Sequence, residues 1–133
     1  VIGPELKADG EELFHWFMSQ SVEINGFSKA IWSGVTTVVL AKTVDWAIDN
    51  KITGLYHVTN NKSIDKYSLL NLIKKYTEKD ILIHSVDGKK LNKSFIDTRK
   101  EINFVIPDYE VMVEEMIEMM LKNKNIYKQY NLS

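Results

Sequence analysis

The chain has 133 residues, 44% of them hydrophobic and 26% charged, which places it in the globular class with enough length for one core and makes a second domain unexpected. Seventeen basic residues stand against eighteen acidic ones, for a net charge of -1. No long-range field gathers nucleic acid or an anionic membrane, and Arg99 is the only arginine available for bidentate phosphate or guanine recognition.

Cysteine is absent, so disulfides, thiolate nucleophiles and cysteine-based metal sites are excluded together. Apolar runs such as Val38 to Ala41 fall far short of the ~20 residues that span a bilayer. The opening Val1-Ile2-Gly3-Pro4 carries neither a methionine nor a secretory leader pattern. These features lead us to expect a single-domain piece of a longer, cytoplasmic protein.

In chain order, Val1-Ile2 reads as the end of a strand that turns at Gly3-Pro4. Leu13, Phe14, Trp16, Phe17 and Met18 predict a short helix from about Glu11 to Gln20. Lys29 to Trp32 reads as a strand, with Ser33-Gly34 as its turn. Thr36 or Thr37 caps a helix to about Asn50, striped by Leu40, Ala41, Val44, Ala47 and Ile48.

Leu55 to Val58 is expected as a strand, and Ser63 or Asp65 as the cap of a helix carrying Leu69, Leu70, Leu72, Ile73 and Tyr76. Ile81 to Ile83 is a further strand. Residues 87–100 have no period and read as a loop. Asp108 caps the last helix, in which Tyr109, Met112, Val113, Met116, Ile117, Met120 and Leu121 follow helical spacing; residues 122–133 are expected to fray. The resulting fold class is mixed α/β.

Catalytic signatures are absent. No Gly-x-Ser-x-Gly, phosphate-gripping glycine loop or Tyr-x-x-x-Lys pair occurs. His15, His57 and His84 stand on different predicted elements, and none has a histidine three or four places on to share a metal. Two features leave a choice open. Lys89, Lys90, Lys93, Arg99 and Lys100 form either a solvated loop or an anion site in which Arg99 forks onto a diphosphate. Trp32 and Phe14 either fill a core or stack a nucleobase.

Five strings carry a family likeness: Ile2 to Glu5, Leu13 to Phe17, Trp32 to Thr37 leading into Leu40-Ala41, Gly54 to Val58, and Asp97 to Lys100. In order and spacing they resemble the C-terminal half of extended short-chain dehydrogenase/reductases, most nearly those of the dTDP-4-dehydrorhamnose reductase type. The chain departs from that pattern at Val39, where relatives often carry an acidic residue, and at Gly34-Val35-Thr36, where proline-threonine is common.

The resemblance implies a substrate-binding lobe without the N-terminal Rossmann half that holds the glycine-rich NAD(P) site and the tyrosine–lysine pair. Val1-Ile2 and Leu55 to Val58 would then be strands of the dinucleotide-binding sheet. Gly3 and Pro4 would lie beside the cofactor, and Glu5 and Phe14 at the substrate cleft. Lys29, Trp32 and Ser33 would line the nucleotide side, and Arg99 would meet the diphosphate. The implied ligand is a dTDP- or UDP-linked sugar in a reductase of polysaccharide biosynthesis. The same lobe could serve an epimerase or dehydratase, or a non-catalytic module that applies the methionine-rich last helix to a partner. The unpaired edges also point to a homo-oligomer.

Overall fold

The computed structural model describes residues 1–133. Four helices and two small sheets make a mixed α/β fold: α1 (Leu13–Ser19), β1 (Val22–Phe27), β2 (Ala30–Trp32), α2 (Thr37–Asp49), β3 (Ile64–Asp65), α3 (Lys66–Thr77), β4 (Ile81–Val86), β5 (Leu91–Lys93), α4 (Tyr109–Lys122) and a 3-10 turn at Lys128–Tyr130.

β1 and β4 run parallel, with Val22 opposite Ile81 and Phe27 opposite Val86. Their pleat buries Ile24, Ile81 and Ile83 and turns Glu23 and His84 outward, the period-2 pattern of a sheet with one dry face. Gly26 lets α3 come close: a Cβ there would stand 2.8 Å from the Tyr67 Cα. In the second sheet β2 is central, antiparallel to β3 and parallel to β5.

The inner face of the first sheet meets Leu69, Leu70 and Ile73 of α3, then Val113, Met116, Ile117 and Met120 of α4, with Phe14 and Phe17 of α1 closing the core. A smaller cluster of Val35, Val39, Tyr109 and Met112 joins α2 to α4. The methionine stripe of α4 is therefore core at Met112, Met116 and Met120, each no more than 1% exposed, and it offers no partner surface there.

Caps follow local chemistry. Thr36 accepts from the Val39 amide at 3.4 Å and Asp65 from the Ser68 amide at 2.9 Å, each supplying an acceptor to an orphan helix N–H. Asp108 has N-cap backbone geometry but makes no side-chain cap bond; its carboxylate takes the Lys62 ammonium at 2.6 Å instead.

β1 falls where the sequence offers no assignment, and three expectations are corrected. β5 sits inside the predicted loop 87–100, because β2 had a free edge and Ala30, Ile31 and Trp32 pair with Leu91, Asn92 and Lys93. Leu55 to Val58 is not a strand: no chain runs beside it, Leu55 is 74% exposed, and the Leu55 carbonyl accepts from the Arg99 guanidinium. The tail does not simply fray, since Tyr130 is 4% exposed and packs edge-on against Phe14 with ring centroids 5.2 Å apart.

Candidate functional site

Ala30 and Trp32 project from one face of β2, and Leu91 and Lys93 stand opposite them in register on β5. With Val1, Ile2, Glu12, Leu13, Lys66 and Leu69 they line a cleft of about 400 Å³, mostly apolar, a size and lining typical of small-molecule sites. Trp32 supplies the aromatic wall. Its indole folds back over Gly34, where a Cβ would stand 2.3 Å from Cζ2, and its ring centroid lies 6.1 Å from that of Tyr109. Gly34 therefore fixes the indole's place beside the cleft.

Two cations complete the lining. Lys66 opens α3, and its ammonium lies 5.2 Å from the Trp16 ring and 5.5 Å from the Phe27 ring, a cation–π setting. Neither Lys66 nor Lys93 takes part in any ion pair of the molecule. Glu12 is the one carboxylate of the lining, so the cleft carries a surplus of one positive charge. Apolar walls, one indole and two lysine side chains outside any ion pair suit an anion joined to a flat or apolar body.

The residues expected to form the site divide. Trp32 lines the cleft. Lys29 does not, because its ammonium pairs with Asp87 at 2.8 Å. Ser33 is fully buried and pins the chain beyond β5, donating to the Phe95 carbonyl at 3.1 Å and accepting from the Phe95 amide at 2.8 Å. Phe14 is fully buried as well and has no free face for a base.

Arg99 is held away from the cleft. Its Nε donates to Glu101 at 2.6 Å and its Nη1 to the carbonyls of Thr53 and Leu55 at 2.8 and 3.1 Å, so it braces the turn at Gly54. A main-chain bond at Glu101, and after it the Arg99 contact, hold the Glu101 carboxyl below its usual range. Glu5 lies beside the cleft rim, where its carboxylate accepts from the Glu12 amide at 2.9 Å.

Gly3 is buried and Pro4 is half-buried beside it. The space a Gly3 Cβ would need is filled by Thr37, whose Oγ1 would be 2.3 Å away, so this glycine lets the N-terminal segment pack on the start of α2. Ile2 and Thr36 form a parallel bridge there, with the Ile2 amide donating to Val35 and the Thr37 amide to Ile2. No group of three metal-binding side chains occurs. His84 donates to Glu23 at 2.8 Å, and His57 lies 5.6 Å from the Phe95 ring.

Lys66 and Lys93 line the cleft without a local sequence signal that singles them out. Lys93 was visible only as part of a basic loop; its place opposite Trp32 depends on the β2–β5 register. Lys66 follows a helix cap and has no local signature at all.

No family model matches the chain, and no curated protein matches it. Among solved structures it superposes on dTDP-4-dehydrorhamnose reductase from Bacillus anthracis, in complex with NADP, with a TM-score of 0.69 at 18% identity over 83% of this chain and 43% of that one. It also superposes on the UDP-N-acetylglucosamine 4-epimerase of Methanobrevibacter ruminantium, in complex with UDP-N-acetylmuramic acid (TM-score 0.63, 20% identity, 92% of this chain and 44% of that one). A third match is the dTDP-glucose 4,6-dehydratase of Bacillus anthracis, in complex with NAD (TM-score 0.62, 12% identity, 90% and 42%).

The chain shares the fold of part of each of these three solved structures. The chain spans less than half the length of the solved structures it matches. No helix is long and apolar enough to cross a membrane.

Proposed function

We propose that the chain is the C-terminal substrate-binding lobe of an NAD(P)-dependent oxidoreductase that acts on a dTDP-linked 4-keto-6-deoxy sugar. The cleft between β2, β5, α1 and α3 is the nucleotide-sugar side of that lobe. The carrying observation is the pairing of Trp32 with Lys66 and Lys93 around an apolar hollow: the indole provides a stacking surface, and the two ammonium groups provide point charges for a diphosphate. Arg99, braced on Thr53, Leu55 and Glu101, gives up the diphosphate role to these lysines.

The second half of the protein would cover the opposite side. Leu40, Val44 and Ile48 leave an apolar groove along α2, with Val44 49% and Ile48 70% exposed. Leu55 to Val58 lies outside both sheets. Such surfaces suit a cofactor-binding half that brings its own sheet. No redox step is assigned to the residues of this chain. Their contribution is to bind and orient the sugar nucleotide, which is itself a catalytic term.

The likeness to an epimerase and a dehydratase of similar coverage favours a second reading, the lobe of a nucleotide-sugar epimerase or dehydratase, with the same cleft and the same ligand class. Calorimetric titration of the protein with dTDP and UDP tests both. Binding that weakens roughly five- to twentyfold in Lys93→Ala and in Lys66→Ala is expected, the loss of one charge-assisted contact each. Absence of binding in the wild type, or lysine variants that bind equally well, would contradict the proposal.

A further inference from the structure

The cleft rim is tied to the far end of the chain. Glu12, which lines the cleft, precedes the first turn of α1 and makes no side-chain cap bond. Its amide is held instead by the Glu5 carboxylate at 2.9 Å. Glu5 is in turn gripped through its main chain, 125 residues away in sequence: its amide donates to the Tyr130 hydroxyl at 2.8 Å, and its carbonyl accepts from that hydroxyl at 3.2 Å. The Gln129 side chain donates to the same carbonyl at 2.6 Å.

Tyr130 can serve this purpose because it is locked. Its ring is 4% exposed and packs edge-on against Phe14 and His15, and His15 Nδ1 lies 3.1 Å from the hydroxyl. A phenol has one proton and two lone pairs. When it donates to the Glu5 carbonyl and accepts from the Glu5 amide, one lone pair is left for an Nδ1–H of His15, and the hydroxyl is saturated. Gly10 lets the loop fold this tightly, since a Cβ there would stand 2.5 Å from the Glu5 carboxylate and 2.6 Å from the His15 ring.

We propose that Tyr130 is a positioning residue for the cleft: through Glu5 it fixes Glu12 and the start of α1, and so sets the rim against which the ligand seats. The proposal rests on the cleft being the nucleotide-sugar site, and the test separates the two. Tyr130→Phe keeps the buried ring and removes only the hydroxyl. Val113→Ala, a core truncation on α4 that does not line the cleft, serves as a destabilised control.

Hydrogen exchange at the Glu5 and Glu12 amides is expected to quicken about tenfold in Tyr130→Phe relative to Val113→Ala at matched stability, the cost of one hydrogen bond. Titration with dTDP is expected to show about fivefold weaker binding for Tyr130→Phe and unchanged binding for Val113→Ala. Unchanged exchange at Glu5 and Glu12 would overturn the clasp whether or not the ligand binds. A wild-type protein that binds neither dTDP nor UDP would sink the ligand reading, and the exchange result would still decide the clasp.

Discussion

The C-terminal tail and the segment Leu55 to Val58 reverse what their sequences suggest. The tail is polar, lysine- and asparagine-rich and reads as frayed, yet Tyr130 enters the core and holds a loop 125 residues away. Leu55 to Val58 is apolar and reads as a strand, yet it finds no ladder. One buried aromatic with a satisfied hydroxyl, helped by Gln129 and by Tyr127 and Leu132 against the core, anchors the segment. A strand needs a second strand, and propensity alone does not supply one.

The comparison is sharpest at Tyr130 itself. Tyr130→Ala empties a core position and frees Glu5, and we expect a loss of about 3–5 kcal/mol in denaturant unfolding. A loss below about 1 kcal/mol would return the tail to the frayed class.

Alkaline titration probes the anchor that follows the exposed segment. Tyr109 is buried, donates to the Lys62 carbonyl at 2.7 Å, and its phenol is pushed up to about 12 by burial. Because the folded pKa lies above the ordinary 10.0, the contribution is complete below pH 10 and disappears as pH rises toward 12. Unfolding curves should therefore move to lower denaturant across that window, and Tyr109→Phe should flatten this part of the dependence.

Arg99→Ala removes the brace from Thr53 and Leu55. The expected cost is about 1 kcal/mol of stability, since the contacts are solvent-facing, with dTDP affinity unchanged. A selective loss of affinity would restore Arg99 to the diphosphate. Leu55→Lys is expected to change the stability of the chain by less than about 0.5 kcal/mol, because Leu55 is 74% exposed. A larger loss would mean that this segment is packed after all.

Legibility followed the range of the interactions. α2, α3 and α4 were evident from helical spacing and from Thr36, Asp65 and Asp108 standing ahead of apolar runs, all of which act within four residues. β1 carried a readable signal in the alternation of Val22, Ile24 and Gly26 with Glu23 and Asn25. β5 carried none, since Leu91 to Lys93 is a strand only because β2 offers an edge. Trp32 was found for the cleft because an aromatic at a strand end stands out. Lys66 and Lys93 were not, because what brings them to Trp32 is the sheet register and the packing of α3. Phe14 and Ser33 looked available and are buried, which only the tertiary structure reveals.

The central claim is that Trp32, Lys66 and Lys93 line the surface that receives a nucleotide diphosphate. The most direct measurement is a nitrogen–proton NMR titration of the protein with dTDP, followed at the three indole N–H groups and the backbone amides. The account predicts movement of the Trp32 indole and of the Lys66 and Lys93 amides, with Trp46 and the Arg99 region still. Shifts centred on Arg99 and Leu55, or none at any dTDP concentration, would contradict it.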